Sequence, residues 1–213
     1  VIGNCQVSAL INRKGHYVWM CLPRPDGDPV FCGILRDDPE GDAGRLWSVE
    51  LEGQIHSEQR YERNTAILET TLTSSDGSGV RIIDFCPRFR QFGRNYRPVM
   101  SIRIVEPIAG RPVIRVRLRP TCDYGLRRPT AHAGSHHVRY ESADYSWRLS
   151  TDMSLNVLTE ERPYVLGEPL AFILGADEPV TENIGSLAER FLEDTRRYWL
   201  DWARELAVPF EWQ

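Results

Sequence analysis

Residues 6–12 alternate apolar and polar positions, and Arg13, Lys14 and Gly15 turn the chain back onto residues 16–22, the pattern of a β-hairpin. Residues 45–51 and 54–60 read as the next pair. Residues 65–73 and 80–86 flank an Asp76-Gly77 step. Such a step between β-rich segments signals a tight hairpin, because both residues tolerate left-handed backbone angles. Residues 98–105 and 112–118 follow, joined through Ala109-Gly110. In the second of these, Val113, Val116 and Leu118 lie among Arg111, Arg115, Arg117 and Arg119 at a period close to two. One face of that strand is expected to be buried and the other solvated or docked. Further strands are predicted at 137–141, 146–150, 154–158 and 170–174, and residues 127–135 read as an exposed loop.

The period changes at the end of the chain. Ser186, followed three residues later by Glu189, has the form of a capping box. Leu187, Phe191, Tyr198, Trp202 and Leu206 then recur at helical spacing, with Ala188, Leu192, Trp199 and Ala203 beside them, and Pro209 ends the run. The pattern predicts an all-β fold, a large antiparallel two-sheet sandwich over residues 1–180, with a C-terminal amphipathic linker helix over 181–213. Phe191, Tyr198, Trp199 and Trp202 give that helix more apolar surface than the edge of a small sandwich requires. It is expected to pack hard on a sheet or to serve as a docking surface, and to promote self-association where it is uncovered.

Composition narrows the function. With 41% apolar and 26% charged residues in 213, the chain can bury a sizeable core. A net charge of −4 offers no basic excess for nucleic acid. Cys5, Cys21, Cys32, Cys86 and Cys122 are odd in number and form no C-x-x-C pair. That spacing fits neither a disulfide framework nor a zinc site, and points to a reducing, cytoplasmic compartment. No apolar run reaches the length of a membrane span.

Candidate chemistry concentrates in the corner between Tyr17 and Leu35, where an apolar run breaks into a stiff loop of prolines and aspartates and then resumes. Asp26 and Asp28 could act as a pair of carboxylates, or could simply form turns beside Gly27 and Pro29. Asp84 and Asp123 stand at the ends of predicted strands, where they could line a cleft or bond backbone amides. His132, His136 and His137 have an H-x-x-x-H spacing that holds metal when it lies on a helix, but Gly134 and Pro129 argue against a helix there. Tyr140, Tyr145 and Trp147 could form the aromatic platform of an independent carbohydrate-binding sandwich, or fill a core. From the residues alone, three readings stand: a structural domain, a sugar-binding module, and an enzyme using Asp26, Asp84 or Asp123. No complete catalytic apparatus, metal set or cofactor site emerges from them.

Several motifs occur in an order that resembles the N-terminal domain of bacterial family 15 glycoside hydrolases, the glucoamylase, glucodextranase and trehalase-like enzymes. They are Ile2-Gly3-Asn4, Ala9-Leu10-Ile11, the run from Trp19 to Leu22 into Pro23-Arg24, and Asp26 with Val30-Phe31. Then come Tyr61 with Asn64 to Thr70, Val80 to Arg88, Leu118-Arg119-Pro120 with Asp123-Tyr124-Gly125, and Tyr198 to Trp202. The resemblance implies a β-sandwich and linker helix that precede an (α/α)6 catalytic barrel of the same polypeptide. It also implies inverting hydrolysis of α-glucans or trehalose-type sugars, by two glutamates of that barrel about 6.5–9.5 Å apart. On this resemblance the chain holds no catalytic residue. Arg24 and Asp26 become interdomain or active-site-rim candidates, and Phe191, Tyr198, Trp199 and Trp202 a domain-docking face.

Overall fold

The structure, a computed structural model, describes residues 1–35 and 45–205. Two antiparallel sheets face one another. The first contains β1 (Ile2–Gly3), β2 (Ser8–Ile11), β3 (Tyr17–Cys21), β5 (Trp47–Leu51), β12 (Val113–Leu118) and β16 (Tyr164–Val165) in that spatial order, with β4 (Pro29–Phe31) paired to β3. The second runs β13 (Thr130–Ala133), β14 (His137–Glu141), β15 (Ser146–Thr151), β17 (Leu170–Ala176), β11 (Met100–Ala109), β8 (Gly79–Phe85), β7 (Leu68–Ser74) and β6 (Gln54–Tyr61). A separate hairpin pairs β9 (Phe89–Gln91) with β10 (Arg94–Tyr96). A 3-10 turn at Gly33–Leu35, one helical turn, α1 (Leu155–Thr159), and a long helix, α2 (Ile184–Glu205), complete the elements among the described residues. None of the described helices is long and apolar enough to cross a membrane.

The all-β sandwich with one C-terminal helix is as the hydrophobic pattern predicts. The two faces of the second sheet explain its sequence. Val80, Ile82, Val105, Phe172 and Leu174 point inward and meet Tyr17, Phe31, Trp47, Val49 and Val116 of the first sheet in the main core. Ile83, Phe85, Ile102, Ile104 and Ile173 point outward and are covered by Ile184, Leu187, Ala188, Phe191 and Leu192 of α2. Strands covered on both faces lose their alternation and become continuous apolar runs, which is how β8, β11 and β17 read. β6 lies at the sheet edge and is largely exposed.

Several expectations are corrected. Residues 45–51 and 54–60 do not pair: β5 joins the first sheet and β6 the second, and the chain crosses between them at Gly53, where φ is +65°. Residues 154–158 form α1 rather than a strand, with the Leu158 amide bonded to the Ser154 carbonyl (3.1 Å) and Leu158 buried; Leu155 and Leu158 are spaced for a helical turn. In β12 the buried positions are Ile114 and Val116, so the inward register is one residue away from Val113. Residues 130–133, within the expected loop, pair with β14. The cap of α2 is Asn183, whose Oδ1 accepts from the Ser186 amide (2.9 Å), instead of Ser186 itself. Leu206 and Pro209 lie outside the described residues.

Two charges sit inside the main core. Arg103 and Asp84 are direct cross-strand partners on β11 and β8, both fully buried. Arg103 Nε donates to Asp84 Oδ1 (2.7 Å) and Nη2 to Oδ2 (3.0 Å), a two-pronged contact. Nη2 also donates to the Gly15 carbonyl of the opposite sheet's first hairpin (2.5 Å), and the guanidinium carbon lies 4.5 Å from the Tyr17 ring centroid and 4.8 Å from that of Trp47. Tyr17 Oη bonds Ser101 Oγ (2.7 Å). Burial raises the Asp84 carboxyl above its ordinary value, and the Arg103 guanidinium and the Tyr17 hydroxyl act in the opposite direction. Asp84 therefore holds a side chain in mid-sheet and does not bond strand-end amides.

Removing one member strands the other charge in the core. Arg103→Met and Asp84→Leu are each expected to lower stability by about 3–5 kcal/mol, and the double variant to recover much of that loss. Chemical denaturation of the three variants measures this, and additive losses would contradict it.

Candidate functional site

β3 runs directly into the proline-rich corner, and the corner is built by close approaches. The Gly27 amide bonds the Arg24 carbonyl (3.0 Å). A Cβ on Gly27 would sit 2.9 Å from the Leu22 carbonyl oxygen, so no side chain fits there. Arg24 Nε and Nη2 donate to Asp26 Oδ1 and Oδ2 at 2.9 and 2.8 Å, and both side chains are about 70% exposed (69% and 70%). The guanidinium bond holds the Asp26 carboxyl below the usual range. A solvated fork of this kind adds little stability. What it fixes is the direction in which two opposite charges face the solvent.

Asp28 has a different task. Its Oδ2 accepts from the Asp123 amide (2.6 Å) and its Oδ1 from the Tyr124 amide (2.9 Å), so one carboxylate clasps two successive backbone donors. Those donors belong to an unusual turn in which Asp123, Tyr124 and Gly125 all have left-handed φ, at +51°, +53° and +85°. Aspartate tolerates that region, but tyrosine adopts it only when the surroundings enforce it. At Gly125 glycine is required twice over: by φ, and because a Cβ would lie 2.7 Å from both the Arg45 guanidinium carbon and Cys32 Sγ. Backbone bonds between Cys122 and Arg127 close the loop, and the Thr121 amide ties it to the Val30 carbonyl (2.9 Å). Tyr124 and Leu126 project into solvent, 57% and 83% exposed.

The corner, this turn and the 141–145 turn surround a cleft of about 580 Å³, lined by Asp28, Asp123, Arg127, Arg128, Tyr145 and Trp147 among others. Most of its acids are engaged: Asp28 holds amides, Asp123 pairs with Arg127, and Glu141 pairs with Arg139, while Asp144 also lines the cleft; Asp26, on the corner beside it, pairs with Arg24. The cleft can bind and orient, but neither Asp26 nor Asp123 stands free to move a proton.

The aromatic platform resolves into core. Trp147 stacks between Tyr140 (5.8 Å, 20°) and Tyr145 (6.3 Å, 11°), and Tyr140 and Trp147 are buried, so the rings cover one another. His132 lies on β13 opposite Arg139, and His137 on β14 opposite Ser150, not on a helix. Among the described residues no group of His, Cys, Asp or Glu is placed to hold a metal ion.

The helical aromatics are graded in exposure. Phe191 is buried against the sheet, Tyr198 and Trp199 are half-buried, and Trp202 is 47% exposed. Arg88 anchors this end: its Nε donates to Tyr198 Oη (2.8 Å), its Nη1 to the Asn4 carbonyl (2.8 Å), and its guanidinium carbon lies 5.5 Å from the Trp199 ring centroid. Beyond it, a groove of about 420 Å³ opens between Phe89, Arg90, Tyr198 and Trp202. The sequence pattern pointed to the helix, but to neither Arg88 nor the β9–β10 hairpin beside it.

Residues 1–163 match the protein-family model described as "Trehalase-like, N-terminal". The chain is 25% identical to a trehalase of Thermoplasma volcanium over 72% of its own length and 24% of that protein's. Against a trehalase of Thermoplasma acidophilum the figures are 25%, 68% and 24%. Against "Trehalase 1" of Sulfolobus acidocaldarius they are 29%, 60% and 20%. The chain thus spans a quarter or less of the curated relatives it matches. No solved structure matches it.

Asp28→Ala removes the acceptor of two amides in a left-handed turn. The expected loss is about 1.5–3 kcal/mol, with Asp28→Asn, which keeps one oxygen, recovering part of it. Denaturation midpoints, together with faster amide exchange at Asp123 and Tyr124, test this; unchanged exchange would show that the clasp does not hold the turn.

Proposed function

We propose that this chain, which belongs to the trehalase-like N-terminal family, is the non-catalytic β-sandwich of a longer cytoplasmic glycoside hydrolase of family 15 type that cleaves α-glucosidic bonds, with trehalose as the first substrate to try. The observation that carries the reading is the family match over residues 1–163, joined to trehalases of which the chain spans about a quarter. The site geometry supports it. Asp26, Asp84 and Asp123, the acids a self-sufficient enzyme would use, are each bound to an arginine. Inverting hydrolysis needs one acid to protonate the leaving oxygen and another to activate water across a gap. In this reading both reside in an (α/α)6 barrel that follows the linker helix, and no cofactor takes part.

The division of labour follows. Residues 1–180 form the scaffold and residues 181–213 the linker. The end of α2 supplies the docking face through Tyr198, Trp199 and Trp202, with Phe191 rooting it on the sheet. The corner, pre-ordered by Pro23, Pro25, Pro29 and the Asp28 clasp, presents Arg24 and Asp26 to the barrel or to the rim of its active site.

The full-length protein is expected to release glucose from trehalose with inversion at the reacting carbon, observed by NMR, and residues 1–213 alone to release none. Hydrolysis by this chain at a rate comparable to the full-length protein would contradict the proposal. In the full-length enzyme, Arg24→Ala and Asp26→Ala are expected to raise KM or lower the melting temperature several degrees; unchanged kinetics and melting together would remove the corner from both interface and rim.

A further inference from the structure

The β9–β10 hairpin carries a residue that the fold does not account for. Gln91 pairs with Arg94, leaving Phe92 and Gly93 as a two-residue loop with φ of +50° and +73°. Left-handed angles at both positions belong to the primed hairpin turn, which favours Asn-Gly or Asp-Gly. Phenylalanine has no local reason to occupy the first of them. Phe92 is nevertheless there, and is 95% exposed. Arg90 and Arg94 stand on opposite faces of the hairpin, both exposed, and neither has an ion-pair or hydrogen-bond partner among the described residues.

The stem is firmly held. Phe89 and Tyr96 pack on each other (4.9 Å) and on Phe191 of α2 (5.1 and 5.8 Å). The buried Asn4 side chain donates to the carbonyls at both ends of the hairpin, Pro87 (2.9 Å) and Pro98 (2.8 Å), and the Arg88 amide donates to Thr195 Oγ1 (3.2 Å). The stem is rigid and bears an exposed ring and two cations without a partner among the described residues, a combination that suits a binding surface.

We propose that this hairpin is a docking finger for the domain that follows α2 in the same polypeptide, with Phe92 entering an apolar recess and Arg90 and Arg94 meeting carboxylates around it. The proposal rests on the reading above that the protein continues as a hydrolase. Two features select this occupant. The hairpin stem and the last turns of α2 line one groove, Phe89 and Arg90 facing Tyr198 and Trp202, so a domain joined to the helix lies within reach. Arg90 and Arg94, without a partner among the described residues, suit an acidic partner surface.

The test uses the full-length protein. Phe92→Asn suits the left-handed turn better than phenylalanine and leaves the sandwich core untouched. It is expected to lower the melting temperature by several degrees and to speed proteolytic cleavage after α2 several-fold. Arg90→Glu with Arg94→Glu is expected to do the same, less so at high salt. An unchanged or raised melting temperature with unchanged cleavage for Phe92→Asn overturns the proposal. Trp202→Ala serves as the reference. If it loosens the junction and the hairpin variants do not, the finger is wrong and the two-domain reading stands; if none of them does, the two-domain reading falls as well. If the hairpin variants instead convert a dimer to a monomer in sedimentation without altering cleavage, the occupant is a second copy and the proposal is overturned.

Discussion

The two sheets are joined at their centre around one guanidinium, with the Tyr17 hydroxyl bonded across to Ser101 beside it. Arg103 belongs to the second sheet and takes its counter-ion, Asp84, from the neighbouring strand. Its remaining contacts reach across to the first sheet: the Gly15 carbonyl and the rings of Tyr17 and Trp47. An arginine with no exposed surface is tolerable only if its charge and donors are satisfied together. A sliding motion of one sheet over the other would break these contacts at once. These contacts are made in one register of the two sheets. They also fix the end of the first hairpin and the start of β3, the strand that delivers the chain to the corner.

Rigidity at the centre is carried outward by smaller ties of the same kind. Asp28 clasps two amides and forces a left-handed turn that points Tyr124 outward. Asn4 bridges the two ends of the β9–β10 stem. Arg88 joins the N-terminal segment to the aromatic end of α2. Each is a buried or half-buried polar group that fixes the base of an exposed feature. The exposed features are chemically varied: an Arg24–Asp26 fork, a tyrosine, a hairpin tip with a phenylalanine, a tryptophan. The carboxylates among them are tied to arginines or amides. That pattern suits a scaffold that presents surfaces to a neighbour, and suits proton transfer poorly.

Much of the sandwich was legible because its hairpins carry strong local chemistry. Asp76-Gly77 and the turn through Gly15 place left-handed angles where glycine allows them, and both hairpins form. Where local pattern and tertiary packing diverge, the sequence misleads. Residues 154–158 are rich enough in apolar positions to read as a strand, although Leu155 and Leu158 carry the three-residue spacing of one helical turn. β5 and β6 are adjacent in sequence but separate onto different sheets, because burial across the whole domain decides sheet membership. Asp84 stood out as an acid, yet the lone arginine within Ser101-Ile102-Arg103-Ile104-Val105 was the stronger clue, since a charge on the buried face of a strand must find its partner there. The Asp28 clasp joins residues nearly a hundred positions apart and has no local signature. The finger hairpin did have one, in arginines alternating with aromatics between Pro87 and Pro98.

Amide hydrogen exchange offers the most direct test that the Arg103 contact makes the two sheets a single cooperative unit. The measurement compares, under native conditions, amides of β3 and β5 in the first sheet with those of β8, β11 and β17 in the second. If the contact locks the sheets together, both sets exchange with the same opening free energy, equal to that of global unfolding. Exchange of one sheet at a distinctly lower free energy, while the other stayed protected, would show that the sheets open independently and would contradict the account.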